Sequence, residues 1–494
     1  MDIAEERGEM KRFLPLLLLM LAACSLAACH AGPDTVTTGS SDTQTGSTAA
    51  SPASSPSAAK ASLLDDHFFI GSVSEDSTTD LDFWNAYAAD PDTARQIPAR
   101  YIYINGGFNG GWRTWGAQDG DRAINYIRKS FSMGMIPFFV YYQIPGGGGE
   151  SAAGDLANIQ NPTFMKDYFL DLKFLLDIVK REGNGKEVGI ILEPDFLGYM
   201  MQNYTLDPSA LAAQVAPAYA AGVLTSEDPQ FPNTLKGLVE AINYTIAKQA
   251  PNALFGWQVN IWASPGIHHG IPNNGLCRIT DTMGIAAGRS AVREEAKEVA
   301  LFYKKAGILS QNAKWVFIDK YGLDGTGNYC SDPDNNPSAC IWFWNTDHWN
   351  NYVAFVDEIY KELQTPVVMW QIPIGRLNDS LYRNPDTGQT FPVLQHIARR
   401  HEDSAATFVF GDAFTAFTTA RVDYFGNVSD AGTGKNGSTV TVQPHLDDLI
   451  GAGVAGILFG AGTGLSTDFD SDDNWWITKV QEYYKNPKIL QSGN

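Results

Sequence analysis

The sequence has few basic residues, few cysteines and no hydrophobic run of the ~20 residues needed to cross a bilayer. Its 494 residues include 35 Lys and Arg against 55 Asp and Glu, which gives a formal net charge of −20. Such a chain repels phosphate backbones, so we expect no nucleic-acid partner. Apolar residues are abundant, with 44% hydrophobic and 12% aromatic, which is enough to form a large core.

The N-terminal residues have the features of an export signal. Two basic residues precede a short apolar run over residues 13–23, as in a secretory signal peptide. Two Leu-Ala-Ala-Cys segments follow, and each resembles the lipobox at which bacterial lipoproteins are cleaved and lipidated. We predict residues 1–28 to be the signal peptide and Cys29 the lipidated residue, with Cys24 as the alternative. The protein is then exported and lipid-anchored to the bacterial outer membrane, facing the periplasm or the surface; without lipidation it is secreted.

Residues 29–62 are predicted to be a disordered linker. From residue 35 to residue 62 nearly every side chain is Ser, Thr, Ala, Gly or Pro, and Val36 is the only large aliphatic residue. This composition cannot bury enough apolar surface to fold. As a flexible coil it has a reach of roughly 30 Å. Residues 63–494 are the expected folded domain.

Short β-rich segments alternate with helical segments in this domain, which indicates βα units and a parallel sheet. Eight segments are predicted strands: 67–73, 100–105, 136–143, 188–193, 255–262, 315–319, 366–371 and 455–459. Eight units are the number in a (β/α)8 TIM-like barrel, which is the α/β fold we predict, with a doubly wound open sheet as the alternative. The stretch 376–443 is too long for a βα connection and is predicted to be an insertion between strands 7 and 8.

The amphipathic segments between the strands are the predicted helices, namely 121–133, 163–182, 234–249, 290–306, 346–363 and 473–484. Within the insertion we expect a helix over 393–400, a strand over 407–410 and a hairpin turned by the Gly-rich segment 432–437.

Cysteines and cofactor motifs add little about function. Cys330 and Cys340 flank a short Asp- and Asn-rich loop and are predicted to form a disulfide in an exported chain, with two free thiols as the alternative. Cys277 is expected to be a lone thiol. The sequence has no metal-ligand spacing, no phosphate-binding loop and no Gly-x-Ser-x-Gly motif, so we expect neither a metal nor a cofactor.

The most informative segment is Gly-Ile-Ile-Leu-Glu-Pro-Asp-Phe-Leu-Gly at residues 189–198. It reads as a buried strand that ends at Glu193, breaks at Pro194 and presents Asp195. Barrel active sites lie at the C-terminal ends of the strands, so Glu193 is expected to point inward with Asp195 just above it. The alternative is that Asp195 caps the next helix while Glu193 is a buried, hydrogen-bonded side chain.

This Glu-Pro-Asp motif resembles the signature of the family 6 glycoside hydrolases, the cellobiohydrolase and endoglucanase family. In that family the Asp is the proton donor of an inverting mechanism, which the resemblance implies for Asp195. Val-Tyr-Tyr-Gln-Ile-Pro at residues 140–145 resembles the strand that leads to the family's second key Asp. The chain departs from the family where Gly-Gly-Gly-Gly-Glu at 146–150 replaces an Arg-Asp-Cys sequence, and again at Phe196. The resemblance implies a carbohydrate-active barrel.

Glycosidic cleavage needs one protonated carboxyl group and one ionised carboxylate. We predict Asp195 to be the general acid and Asp319 the base or water-orienting group, with Asp412 as the alternative base. Glu193 is predicted to raise the pKa of the acid. The alternative for Asp319 is a helix cap or an ion pair with Lys320.

Aromatic side chains near the strand ends are the predicted sugar-binding groups, because sugar rings stack on aromatic faces. The predicted substrate-binding residues are Trp115, Tyr142, Trp262, Tyr321, Trp342, Trp344, Trp370 and Gln371. Packing in the core is the alternative for the tryptophans. The seventh strand ends in Trp-Gln rather than in Glu, which disfavours the common retaining arrangement and favours inversion.

The sequence therefore predicts an exported, membrane-tethered glycoside hydrolase acting on a polysaccharide or oligosaccharide such as a β-glucan. The alternative is a non-catalytic carbohydrate-binding lipoprotein, in which the same carboxylates only hydrogen-bond to sugar hydroxyls. An esterase or deacetylase acting on glycans is disfavoured because its nucleophile and metal motifs are missing.

Overall fold

The computed structural model of the chain describes residues 64, 67–88, 97–108, 110–147, 151–266, 275–320, 344–377, 382–383, 390–391, 403–416, 419–460 and 474–490. The predicted signal peptide and linker lie outside these residues and stay predictions. None of the helices in the described ranges is both long enough and apolar enough to span a bilayer.

Eight parallel strands form the centre of the fold. They are β1 Phe69–Val73, β2 Ala99–Asn105, β3 Ile136–Tyr142, β4 Val188–Leu192, β5 Ala253–Val259, β6 Trp315–Asp319, β7 Val367–Ile372 and β13 Val454–Phe459. Each strand pairs in parallel with its neighbours, and β13 pairs with both β7 and β1, which closes the barrel. The predicted (β/α)8 barrel is confirmed, and the closure between β1 and β13 excludes an open sheet.

Helices surround the barrel, and all six predicted helices are present. The helices are α1 Thr78–Ala88, α2 Asp121–Ser132, α3 Ala152–Gln160, α4 Pro162–Gly183, α5 Phe196–Asn203, α6 Ala216–Ala220, α7 Leu235–Gln249, α8 Gly275–Met283, α9 Ile285–Ala306, α10 Thr346–Leu363, α11 Ala405–Phe410, α12 Thr419–Gly426, α13 Leu446–Gly451 and α14 Trp475–Tyr484.

Helix α4 shows how the local sequence sets the ends of a helix. The Asn161 side chain accepts hydrogen bonds from two backbone N–H groups of the first turn, and Pro162 occupies the first helical position. The helix ends at Asn184, whose φ of 48° is left-handed. Its buried face carries Tyr168 and Asp171 towards the strands. This face therefore places polar side chains behind β3 and β4.

The barrel interior is filled with large side chains and is not a pore. Its members include Phe69, Tyr101, Phe138, Val140, Ile191, Trp315, Phe317, Val368, Trp370 and Leu458. Phe138 leaves no room for a side chain at position 189 of β4, where a Cβ would lie 2.1 Å from the Phe138 ring, so this position needs Gly189. A second and larger apolar cluster fills the layer between the strands and the helices.

The insertion between β7 and β13 holds short antiparallel strands. They are β8 Tyr382–Arg383, β9 Thr390–Phe391, β10 Asp412–Thr415, β11 Thr433–Asn436 and β12 Thr439–Val442, and β12 lies between β10 and β11. The predicted hairpin is confirmed, although residues 433–436 form its first strand and the turn follows them at Gly437.

Another prediction for the insertion is wrong. Residues 407–410 belong to helix α11 and not to a strand, because a short run of Thr, Phe and Val is compatible with either structure. The predicted helix over 393–400 lies outside the described residues.

Candidate active site

The backbone adopts left-handed conformations at three predicted site residues. Glu193, Asp195 and Gln371 have φ angles of 41°, 69° and 56°, in a region that residues other than Gly rarely occupy. Glu193 and Asp195 directly follow β4, and Gln371 lies near the end of β7. Strained backbone of this kind persists where the surrounding structure holds it, often at functional sites. Here it marks the C-terminal end of the barrel.

Asp195 is half-buried and is oriented by side chains of the neighbouring strand segment. Asn260 Nδ2 donates a hydrogen bond to Asp195 Oδ1 at 2.8 Å, and the Asp195 backbone N–H donates to Gln258 Oε1 at 3.0 Å. Asp195 stands at the N-cap position of α5, but its carboxylate does not cap the helix. A Cβ at Gly198 would lie 2.3 Å from Asn260 Oδ1, so the glycine gives Asn260 the room it needs. The Asp195 carboxylate is thus positioned by Asn260 and is not used to cap helix α5.

Asp319 ends β6 and is connected to Asp195 through one glutamine. Gln258 Nε2 donates to Asp319 Oδ1 at 2.7 Å, and the Oε1 atom of the same amide accepts from the Asp195 backbone. Asp319 is only 5% exposed. Lys320, the sequence-based alternative partner, is directed elsewhere, with its Nζ 3.4 Å from the buried Asp403 carboxylate. The structure therefore brings the predicted acid and base residues together.

The Glu193 carboxyl is buried beside β3, so the expected inward orientation is wrong. Its Oε2 accepts from the backbone N–H groups of Gln143 at 3.0 Å and Ile144 at 2.9 Å. Burial raises the pKa of Glu193 to about 8, against the opposing effect of these N–H donors and of the Tyr168 hydroxyl. The carboxyl is therefore neutral at pH 7. It cannot raise the pKa of Asp195 by charge repulsion at that pH, and it matches the alternative of a buried, hydrogen-bonded Glu.

Asp412 is not at the end of a barrel strand. It begins β10 of the small antiparallel sheet, opposite Val442. Its carboxylate lies 2.9 Å from the Arg376 guanidinium. Burial raises the Asp412 pKa, while the charge of Arg376 opposes the shift. The ion pair accounts for this carboxylate, and the alternative base assignment is not supported.

Tyr103 of β2 joins this group, although nothing in the sequence singled it out. Its hydroxyl accepts a hydrogen bond from Gln371 Nε2 at 2.8 Å. Its ring lies next to those of Trp370 and Tyr142, with centroids 6.1 and 6.4 Å away. Gln371, predicted to bind substrate, is 8% exposed and here positions Tyr103.

The surroundings of Tyr103 keep its phenol protonated. Burial raises the Tyr103 pKa well above its usual value, and the neighbouring Tyr101 and the charges of Asp195 and Asp319 raise it further. The phenol therefore stays protonated over the whole working range of a protein. It is a neutral group that can donate and accept hydrogen bonds.

Three further side chains of the site were missed in the sequence: Gln258, Asn260 and Tyr303. The Tyr303 hydroxyl lies 3.5 Å from Asn260 Oδ1, to which it donates, and this fixes the Asn260 amide with its NH2 group towards Asp195. A signal for two of them was present, because Gln258 and Asn260 are polar residues two positions apart in an otherwise apolar strand segment. Residues at that spacing share the inward face of a barrel strand.

Some predicted sugar-binding rings are accessible. Trp115 is 47% exposed, and the Arg122 guanidinium lies 4.9 Å from its ring centroid. Trp262 is half-buried beside Tyr199, with ring centroids 5.0 Å apart. Tyr142, at the end of β3, is half-buried as well. Each of these three rings therefore keeps some exposed surface.

Two of the predicted rings are not accessible. Trp370 is fully buried in the barrel interior, and Trp344 is fully buried against Trp349 and Tyr352. Neither ring has a face that a ligand could contact, because both rings are packed on all sides by core side chains. Among the described residues, seven tryptophans are fully buried: Trp84, Trp112, Trp257, Trp344, Trp349, Trp370 and Trp476.

Several predicted residues lie outside the described part of the chain. They are Tyr321, Trp342, Cys330 and Cys340, together with Cys24 and Cys29 of the export signal. The side chain of Cys277 in α8 is likewise outside it. Within the described ranges, no group of three or more His, Cys, Asp and Glu side chains is placed to hold a metal ion.

A groove of about 470 Å³ lies away from these carboxylates. It runs between α9, α10 and the insertion, and it is lined mainly by polar side chains, among them Arg289, Arg293, Asp347 and Asp430. Neither Asp195 nor Asp319 lines it. We therefore place the candidate active site at the barrel end and not in this groove.

Comparison with known proteins shows distant structural resemblance to glycoside hydrolase barrels. Similar solved structures include the endoglucanase Cel6 from Mycobacterium tuberculosis, at 14% identity over 63% of this chain and 74% of that chain with a TM-score of 0.29. They also include an endo-1,4-β-D-mannanase from Thermotoga petrophila, at 14% identity over 85% and 99% with a TM-score of 0.39. A β-mannanase from the blue mussel Mytilus edulis is 10% identical over 87% and 96%, with a TM-score of 0.37.

No protein-family model and no curated protein matches the chain. The structural likenesses are distant, and the fold is assigned from the strand order of the closed barrel itself.

Proposed function

We propose that this protein is an exported, lipid-anchored glycoside hydrolase that cleaves a polysaccharide with inversion, using Asp195 as the general acid and Asp319 as the base. The observation that supports this most is the Gln258 side chain, which contacts both residues at the C-terminal end of the barrel. Two acids held together at this end are what glycosidic cleavage requires.

The position of Asp195 in the Glu-Pro-Asp motif suggests the division of roles. Asp195 is half-buried, so a glycosidic oxygen can reach it and take its proton as the bond to the anomeric carbon breaks. Asp319 is deeper and accepts a hydrogen bond from the Gln258 amide, as Asp195 does from the Asn260 amide, and it is the second carboxylate at this end of the barrel. As base it takes a proton from the water whose oxygen attacks the anomeric carbon. The acid and base are regenerated by proton exchange with solvent.

The end of β7 supports an inverting route. A retaining hydrolase needs a second carboxylate as nucleophile close to the acid. The residue available here is Gln371, whose amide cannot form a stable glycosyl ester and is engaged with Tyr103. The accessible rings of Trp115 and Trp262 would bind neighbouring sugar units.

Attachment to the outer membrane through Cys29 is proposed from the sequence alone. The Ser-, Thr- and Ala-rich segment before the barrel would let the enzyme reach substrate away from the bilayer surface. Cys29→Ser and Cys24→Ser variants, compared by membrane fractionation and by mass spectrometry of the mature N-terminus, test which residue carries lipid. Release of the protein by Cys24→Ser alone would overturn the Cys29 assignment.

The activity is tested by incubating the full chain with a panel of polysaccharides and measuring new reducing ends, with the product anomer followed by NMR. Asp195→Asn and Asp319→Asn are each expected to lower the rate at least about a hundredfold. Asp412→Asn makes the same chemical change outside the site and should retain the rate. The product should have inverted anomeric configuration.

Other outcomes of this experiment separate the alternatives. Loss of rate in Asp412→Asn but not in Asp319→Asn would move the base to Asp412. Binding of a glycan by wild type and by Asp195→Asn, with no cleavage of any glycan, would support the non-catalytic carbohydrate-binding protein and contradict the hydrolase.

A further inference from the structure

Tyr103 and Tyr101 lie on the same face of β2 but differ in how their hydroxyl groups are used. The Tyr101 hydroxyl is buried and donates to the Gly460 carbonyl oxygen at 2.5 Å. The Tyr103 oxygen accepts from Gln371 Nε2 at 2.8 Å. Among the residues that the structure describes, none accepts a hydrogen bond from the Tyr103 O–H. The Tyr101 O–H is thus used within the protein, whereas the Tyr103 O–H has no acceptor among the described residues.

The Tyr103 hydroxyl lies at the C-terminal end of the barrel, since its partner Gln371 follows Trp370, which pairs with Asp319 across β6 and β7. Asp195 and Asp319 are close enough for their charges to act on the Tyr103 hydroxyl, but neither is hydrogen-bonded to it. A tyrosine hydroxyl can accept one hydrogen bond and donate another at the same time. Because Gln371 supplies the donor to the Tyr103 oxygen, the Tyr103 O–H can donate to another group.

The ring of Tyr103 is fixed well enough to aim this donor. It packs against the rings of Trp370 and Tyr142, and the residue as a whole is half-buried. The backbone of Gln371 is left-handed, with a φ of 56°. Preorganised donors contribute to binding and catalysis because they need not reorient when the ligand arrives.

We propose that Tyr103 contacts substrate directly, with its phenol O–H donating a hydrogen bond to a hydroxyl group of the sugar bound between Asp195 and Asp319. This inference rests on the proposed function for the identity of the ligand as a glycan. It adds a group that recognises one hydroxyl of one sugar unit, and so helps to determine which sugar is accepted at the reacting position.

The test uses the full chain with the Tyr103→Phe substitution, which removes one oxygen and keeps the ring. A hydrogen bond of this kind is worth about 1.4 kcal/mol, which is a tenfold change. We expect kcat/KM on the cleaved oligosaccharide to fall about tenfold, and the same substitution to have no effect on the monodeoxy analogue that lacks the accepting hydroxyl. An equal loss on the parent and on every monodeoxy analogue would overturn the proposal, because it would indicate a general structural defect.

Tyr101→Phe is the matched control, since it removes the same atom two residues away on the same strand face. It should lower thermal stability, because the Gly460 carbonyl loses its donor, and it should show no dependence on the sugar hydroxyls. A hydroxyl-specific loss in Tyr101→Phe as large as that in Tyr103→Phe would also count against the assignment.

A binding measurement keeps the proposal separate from the proposed hydrolysis. Oligosaccharide affinity is compared between Asp195→Asn and the double variant Asp195→Asn/Tyr103→Phe by calorimetry. The double variant should bind about tenfold more weakly. If wild type cleaves nothing, the hydrolase proposal fails, but a tenfold difference in affinity still supports Tyr103. Equal affinities, or no glycan binding at all, would overturn the role of Tyr103.

Discussion

Replacing Glu193 with Gln should make the protein resistant to the loss of stability that we expect as pH rises from about 4.5 to about 8. The Glu193 carboxyl is 1% exposed and has a pKa of about 8, against an ordinary value near 4.5. Between these two values the folded protein keeps a proton that the unfolded chain releases. The free energy of unfolding therefore decreases as pH rises through this window, and the contribution of Glu193 to stability is lost once pH passes about 8.

The size of the effect follows from the width of the window. Each pH unit inside it lowers the free energy of unfolding by about 1.4 kcal/mol through this one group. Between pH 5.5 and pH 8 the expected loss is about 3 kcal/mol, a large part of the ~5 to 15 kcal/mol that stabilises a typical domain. A Gln at this position carries no ionisable proton, and its carbonyl oxygen can accept the same two backbone N–H groups from Gln143 and Ile144.

The assay is urea-induced unfolding of wild type and Glu193→Gln at half-unit steps from pH 5.5 to pH 8.5. The stability of the variant minus that of wild type should rise by about 3 kcal/mol across the range. Glu227→Gln, at an exposed position, is the matched control for loss of a carboxyl without burial. A difference between Glu193→Gln and wild type that stays constant with pH would refute the assignment of a buried, protonated Glu193.

Three other substitutions test how the site is held. Asn260→Ala removes the donor to Asp195 Oδ1 and should lower kcat about ten- to a hundredfold with little change in melting temperature, which steady-state kinetics and calorimetry check. Gly198→Ala should lower kcat in the same way, because its Cβ would displace Asn260, and an unchanged kcat would contradict this packing. Lys320→Met leaves the buried Asp403 carboxylate unpaired and should cost about 3 to 5 kcal/mol in urea unfolding, whereas Lys320→Met/Asp403→Leu should recover most of it.

The fold could be predicted because its signals are local. Each strand is a short apolar segment with breakers around it, as in Val-Gly-Ile-Ile-Leu of β4, and parallel strands buried on both faces must be apolar throughout. Helix ends were also marked, as by Asn161 and Pro162 at the start of α4. The error at residues 407–410 arose where the segment was too short for the period of its hydrophobic pattern to distinguish a helix from a strand.

The candidate site was predicted only in part. Asp195 lies just after β4 and Asp319 ends β6, and the rule that barrel chemistry gathers at the C-terminal ends placed them together. The rule could not place Asp412, because the strand that carries it pairs outside the barrel. It also could not assign Trp370, because exposure depends on how neighbouring rings fill the interior.

The sequence by itself determined the barrel, the two acids at its C-terminal end and the acidic, aromatic-rich character of the chain. These follow from hydrophobic periodicity, from the Gly and Pro residues that end strands and helices, and from composition, all of which are local properties of the sequence. Only the tertiary structure decided which groups meet. Gln258 connects Asp195, which follows β4, with Asp319, which ends β6. Tyr103 contacts Gln371, which lies 268 residues later in the sequence. Burial likewise decided that Glu193 is a neutral acid, because desolvation depends on the atoms that surround a carboxyl and not on its neighbours in sequence.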